Sequence, residues 1–304
     1  MARPCACRAA EHGVPAEETP REALPLWQNG RMKRPTLVGA ALAALLALAA
    51  NAAFGQWGWR TRYPPRIRPP EQRDAGFSFC RLMYSSEYTG RGMGRWSTDY
   101  PFADINFMIR LSELSTTNVN FDADDEPIHW VVPVTNDTIF GCPFIIASAV
   151  GSMVLSTEDA GRLREYLLKG GFLWVDDFWG SWEWAQWVSQ IDKVLPAAQY
   201  PIVDLPLDHA LFSAMFNIWE VPQIANIGFW RRSGGRTSER GSDSAEPHFR
   251  VIFDAHGRIM VAMTHNTDIQ DAWEREADDP RYFDTFAPDG YSLGVNVLLY
   301  AMSH

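Results

Sequence analysis

The chain has 304 residues, a mass of 34.3 kDa and a formal net charge of −10, with 46% hydrophobic and 21% charged residues. That length holds one large domain or two small ones, and the apolar content excludes global disorder. The acidic balance excludes a nucleic-acid binder, which needs a cationic footprint, and the lack of any internal repeat excludes solenoids and propellers.

Residues 1–31 carry no hydrophobic periodicity and are broken by Pro4, Pro15, Pro20 and Pro25, so they read as disordered or as lying upstream of the true start. Met32-Lys33-Arg34 then resembles a signal n-region, and the Ala- and Leu-rich run at 36–50 has the length of a signal h-region. A membrane span needs about 18 or more apolar residues, and this run is shorter. Ala50-Asn51-Ala52 fits a cleavage site, so residues 32–53 are expected to be a signal peptide. The alternatives are a buried helix or an uncleaved anchor, which would be the chain's one contact with a membrane. A periplasmic or secreted address follows. Cys5 and Cys7 precede the signal and would be lost, leaving Cys80 and Cys142. An oxidising compartment permits one disulfide between these two. Their place beside apolar strand-like runs favours two separate buried thiols, and pairing is not readable from sequence.

Residues 54–75 read as a Pro-rich linker that cannot continue a helix or sheet. A single α/β domain is expected over 76–304. Residues 77–84 alternate as a strand, the Gly90–Gly94 loop follows, and Asp99 is placed to cap a helix over 101–114. Phe144-Ile145-Ile146-Ala147-Ser148 suits a strand buried on both faces. Ser156-Thr157-Glu158-Asp159 reads as a capping box, Leu163, Tyr166 and Leu167 as the buried helix face, and Gly170-Gly171 as its stop. Phe172-Leu173-Trp174-Val175 is the next strand and ends at Asp176-Asp177. Strand, capped helix and strand make a βαβ unit, so the sheet is expected to be mostly parallel with helices on both faces. Further on, a short helix is expected over 208–216 and a mobile polar loop over 234–246. A hairpin is expected to turn at Asp254-Ala255-His256-Gly257, with a closing helix over 291–302.

Two acidic segments stand out. Asp176 and Asp177 sit where open parallel sheets bind ligands, beyond the carboxyl end of a strand. Two adjacent carboxylates cannot both be buried and ionised without a partner. The run at 264–274 gathers His265, Asn266, Asp268, Asp271 and Glu274 directly after a strand. The bland reading of both is helix capping and pairing with arginine. An oxygen-rich run of this kind can hold Ca²⁺ or Mg²⁺ or hydrogen-bond sugar or peptide groups, but no Cys/His metal spacing and no EF-hand pattern exist, so a dedicated metal site is not expected. Of the tryptophans at 174, 179, 182, 184 and 187, helical spacing assigns most to the core, with Trp179 and Trp182 the better candidates for a pocket wall. The run Arg95-Trp96-Ser97-Thr98-Asp99-Tyr100-Pro101, with Asp104 and Asn106, follows the first strand and is expected at the same rim, the bland reading being a helix N-cap with a packed aromatic. There is no G-x-S-x-G elbow, no P-loop and no dinucleotide fingerprint.

At residues 100–107, 163–180 (LREYLLKGGFLWVDDFWG), 208–212, 264–274 and 291–302 the sequence resembles the bacterial domain-of-unknown-function family 4159. The resemblance implies a flavodoxin-like α/β fold similar to class I glutamine amidotransferases and trehalose-utilisation-type domains. Where amidotransferases carry a Cys nucleophile, this sequence has Asp176 or Asp177, and a carboxylate cannot form the same thioester. The expectation is therefore a non-catalytic ligand- or partner-binding domain of the cell envelope, with a carbohydrate or an envelope protein as partner. Asp176, Asp177, Asn266, Asp268 and Asp271 would converge on a rim pocket walled by Tyr100, Asp104 and Trp179. The alternative is a carboxylate-based hydrolase at the same rim. No cofactor can be named from sequence.

Overall fold

A computed structural model describes residues 63–87 and 95–304. The signal peptide expected at 32–53, the segment 1–31 and the Gly90–Gly94 loop lie outside the described residues. Among those described, no helix is long and apolar enough to cross a membrane.

The principal strands are β1 (Phe79–Met83), β3 (His129–Pro133), β4 (Phe144–Ser148), β6 (Phe172–Asp176), β7 (Ile202–Asp204), β8 (His248–Phe253) and β9 (Ile259–His265); β2 (Ser85–Ser86) and β5 (Met153–Val154) form a separate short pair. The helices are α1 (Phe102–Leu114), α2 (Thr157–Leu168), α3 (Gly180–Val194), α4 (Ile227–Ser233), α5 (Asp271–Glu274) and α6 (Pro280–Ser303). The main sheet runs β3-β1-β4-β6-β9-β8-β7. Its first five strands are parallel, and the β8 and β7 edge is antiparallel. Counting only the parallel strands gives the order 2-1-3-4-5 of flavodoxin-like sheets, whose direction reverses between β1 and β4.

Both faces of the sheet are covered, so the central strands are buried throughout rather than alternately. Phe79, Phe144, Phe172 and Trp174 face one core, shared with Phe107 of α1 and Leu293 and Val297 of α6. Cys80, Leu82, Ile145, Leu173 and Val175 face the other, shared with Leu163 and Tyr166 of α2 and Trp187 and Ile191 of α3. The βαβ unit forms from its local signals: Ser156 and Asp159 complete a capping box, and Gly170 leaves α2 with φ 106°. Gly294 lets α6 lie directly on the Trp273 ring, since a Cβ there would stand 2.4 Å from Cζ2. The β8–β9 hairpin turns as expected, with Gly257 at φ 81°.

Several expectations are corrected. Cys80 and Cys142 are disulfide-bonded, with Cα atoms 6.1 Å apart. The parallel order places β1 beside β4, and Cys142 lies just before β4, so strands separated in sequence bring the sulfurs together. Part of the Pro-rich stretch joins the sheet edge: Ile67 bridges Val131, and the Arg68 amide donates to the Val131 carbonyl at 3.1 Å. The 234–246 loop is folded down rather than free. Ser244 is buried, and Asp243 accepts from the Ser181 amide at 2.9 Å. The closing helix begins at Pro280, eleven residues earlier than expected. In place of a helix over 208–216 there is a single 3-10 turn, Ala210–Ser213. Finally, Asp99 makes no side-chain cap on α1, although its carbonyl accepts from the Ala103 amide at 3.0 Å.

Candidate acidic site at the strand switch

The loops leaving β1, β4, β6 and β9 meet beyond the carboxyl ends of these strands, beside the switch in strand order. Among the described residues, five other than glycine have left-handed φ, and four of them stand in these loops: Asp99 (66°), Ala149 (53°), Asp177 (55°) and Asn266 (64°). Such backbone is sterically costly outside glycine, least so for Asp and Asn, and tends to be kept at functional positions.

Asp176 ends β6 and binds its neighbours. Its Oδ1 accepts from Thr264 Oγ1 at 2.5 Å, and its Oδ2 accepts from the Gln270 amide at 3.0 Å. Burial pushes its carboxyl up to about 6, against the pull of these donors. Asp177 turns the other way and accepts from Trp179 Nε1 at 3.1 Å, so Trp179 is a wall that orients this carboxylate. Asp268 accepts from the Asp271 amide at 3.0 Å. One oxygen each of Asp99, Asp177 and Asp268 lie within 4.8 Å of one another, and Asp99 forms a second such set with Asp271 and Glu274. The acidic pair and the 264–274 run therefore share one rim.

The electrostatics differ between these sets. Arg275 pairs with Glu274 at 2.7 Å and stands 3.7 Å from Asp271. Burial chiefly, with the Asp271 charge, still pushes Glu274 up to about 7. Among the described residues, no ion pair reaches Asp99, Asp177 or Asp268. Burial first, and then repulsion from neighbouring carboxylates, raises all three well above the usual range. Asp99 Oδ2 is buried without any hydrogen-bond partner. A cluster of this kind holds protons, or a cation in their place.

The other expected residues are engaged elsewhere. Asp104 takes a forked contact from Arg81, whose Nε lies 3.1 Å from both carboxylate oxygens. Tyr100 faces the Pro-rich segment, its hydroxyl accepting from the Arg66 amide at 3.0 Å. Asn266 uses its side chain within the protein: Oδ1 accepts from the Gly180 amide at 2.8 Å and caps α3 from a distance, while Nδ2 donates to the Glu246 carbonyl at 2.8 Å. Neither Asp176 nor Asp177 caps that helix. Trp182 is 57% exposed and is not enclosed in a pocket. Sequence reasoning missed the roles of Arg81 and Gln270, and it brought Asp99 to this rim only as part of the 95–101 run, with helix capping as its favoured role. A surface cleft of about 760 Å³ is bordered by Arg68, Pro133, Asn136, Phe140 and Arg162 and shares no residue with the acidic cluster.

His265 closes the rim on the β8 side. Arg250 Nη1 donates to its Nδ1 at 3.1 Å, which leaves Nε2–H to donate to the Gly180 carbonyl at 3.1 Å, so the ring is neutral. Burial, with the Arg250 charge, pulls its pKa down to about 4, against the pull of the Gly180 carbonyl. A depressed histidine contributes stability that is present above its unfolded pKa near 6.5 and lost as pH falls toward 4. The raised carboxyls act with the opposite sign, so the variant comparison isolates the histidine. Between about pH 7 and pH 4, stability should move in favour of His265→Gln over wild type by on the order of 3 kcal/mol. Urea titrations of both proteins across that range check this, and a difference independent of pH would refute it.

None of the curated proteins compared matches the chain. The sequence profile of the family described as Domain of unknown function (DUF4159) matches residues 78–302, from the first strand to the end of α6. The match spans the whole wound sheet together with the acidic rim, and the chain belongs to the DUF4159 family.

Proposed function

We propose that this chain is an exported cell-envelope domain that binds a ligand through the acidic rim without transforming it. The observation that carries this reading is the convergence of Asp99, Asp177 and Asp268 from three separate loops within 4.8 Å. Buried carboxylates serving only the fold are ordinarily paired with a cation, and among the described residues none of these three has one. Export is supported by the signal-like 32–53 segment and by the Cys80–Cys142 disulfide, which suits an oxidising compartment. A carbohydrate fits the chemistry. Its hydroxyls donate to carboxylates, and the exposed Trp182 on the first turn of α3 offers a face on which a sugar ring stacks.

Thermal-shift measurements on the full chain against cell-wall glycans test the reading. Wild type should be stabilised by a glycan, and Asp177→Asn should lose that response. If no glycan raises the melting temperature, the carbohydrate reading falls and an envelope-protein partner takes its place. A second reading, hydrolysis, is favoured by one observation: Asp176 at about 6 and Glu274 at about 7 hold carboxyls poised near neutral pH on the same rim. Release of reducing ends from the stabilising glycan would establish it.

A further inference from the structure

We propose that Asp99, Asp177 and Asp268 together bind one hard divalent cation, with Ca²⁺ preferred over Mg²⁺. This deepens the ligand-binding reading of the rim and rests on it. The site is assembled from loops that lie far apart in the chain, which is why no contiguous metal-ligand spacing is visible in the sequence.

Three observations carry the proposal. The first is reach. Two oxygens on opposite sides of a Ca²⁺ stand about 4.6–5.2 Å apart, and the three carboxylates already lie within 4.8 Å of one another. The second is Asp99 itself. It is 7% exposed, and its Oδ2 has no hydrogen-bond partner. A buried carboxylate oxygen without a donor calls for a specific explanation, and a cation supplies one. The third is the distribution of positive charge. The neighbouring buried carboxylates each have a partner: Asp104 has Arg81, Asp176 has donors from Thr264 and Gln270, Asp271 has the Ile227 amide, and Asp271 and Glu274 have the Arg275 charge beside them, although one oxygen of each of these two also lacks a hydrogen bond. Among the described residues no arginine pairs with the remaining three, and Arg95 acts on Asp177 only through its field.

The donor set decides the class of ion. Carboxylate oxygens are hard ligands and disfavour Cu⁺ or a thiolate-type zinc site. Mg²⁺ dehydrates reluctantly and keeps several waters, whereas Ca²⁺ accepts irregular, carboxylate-rich shells. A nearly closed cluster with at least three protein oxygens suits Ca²⁺ better.

Calorimetric titration of the EDTA-stripped full chain with CaCl₂, MgCl₂ and MnCl₂ at constant ionic strength tests the proposal. Saturable binding of one Ca²⁺ per chain is expected, with a rise in melting temperature. Asp99→Asn and Asp268→Asn should each weaken Ca²⁺ binding by about tenfold or more. In EDTA both variants should melt at or above the wild-type temperature, because a neutral amide needs neither a bound proton nor a cation to sit among the remaining carboxylates, and asparagine tolerates the left-handed backbone of Asp99. That melting temperature also confirms that the variants fold. Terbium gives a second readout: since the Trp179 indole touches Asp177, a bound Tb³⁺ should emit on tryptophan excitation, and Ca²⁺ should quench the emission by displacement.

The proposal is overturned if no cation binds saturably below about 10 mM, or if binding persists undiminished in both variants. Mg²⁺ binding at least as tightly as Ca²⁺ overturns the choice of ion. A glycan that stabilises the stripped protein while no cation binds would sink this inference and leave the ligand-binding reading standing.

Discussion

Replacing Arg81 with methionine is expected to cost about 3–5 kcal/mol of folding stability. Arg81 lies in β1 and is fully buried. Besides its fork on Asp104, its Nη1 donates to the Thr98 carbonyl at 3.0 Å and to Ser148 Oγ at 2.5 Å, and its Nη2 donates to Gln270 Oε1 at 2.7 Å. One guanidinium thus ties together α1, the segment carrying Asp99, the end of β4 and the loop after β9. Methionine fills much of the volume but leaves Asp104 charged, buried and unpaired, and the desolvation cost of that carboxylate is the main loss. Gln270 would also lose its partner, and Gln270 holds Asp176 through its backbone amide. The damage should therefore spread to the rim. Lysine should not rescue, because a single ammonium cannot reproduce the fork and the two further contacts. The double variant Arg81→Met/Asp104→Leu should recover most of the loss, since it removes the stranded charge. Urea denaturation with an unchanged m-value measures the effect. A single-variant loss under about 1 kcal/mol would show that the pair is not what holds the rim together.

The βαβ core was legible because its signals are local. Ser156 and Asp159 sit three residues apart, Gly170 and Gly171 mark a stop, and the apolar runs on either side are short and continuous. Each can be read in a window of a few residues. The rim was only half legible. Asp176 and Asp177 follow directly from the end of a strand, and Asp268 from the end of another, so the sheet rule places them. The sheet rule also brings the 95–101 run to this rim, but the role of Asp99 in it is not readable, because an aspartate before a helix start looks the same whether it caps the helix or turns away from it. What separates the two is the approach of Asp177 and Asp268, which are distant in sequence. Arg81 was hidden for a related reason. In an alternating strand an arginine suggests a solvent-facing position, but β1 is covered on both faces, and the charge is tolerated because Asp104 comes with α1. Tyr100 and Asp104 were read as pocket walls from their nearness to the first strand. The structure commits one to the Pro-rich segment and the other to Arg81.

The Cys80–Cys142 bond belongs with these long-range features, and its loss should be the other large effect on stability. The bond spans 62 positions and closes a loop that contains α1 and β3. In the chain-entropy treatment, a loop of that length restrains the unfolded state by about 4 kcal/mol, although engineered losses scatter widely around such values. Both cysteines are buried in the core shared with α2 and α3, so the double variant Cys80→Ala/Cys142→Ala is the appropriate probe. Alanine adds no unsatisfied hydroxyl where serine would. Each site also loses a sulfur from a packed interior, which adds to the cost. A domain with typical stability of about 5–15 kcal/mol would be left marginal. The variant should unfold at a markedly lower urea concentration than the oxidised wild type. Reduced wild type should resemble it. Reductant should act slowly on the native protein, because both cysteines are almost wholly buried and the bond becomes accessible mainly through unfolding. If the double variant loses less than about 1 kcal/mol, the crosslink contributes little to the fold. The disulfide would then no longer support an oxidising compartment through a need for stability, and that reading would rest on the signal-like segment alone.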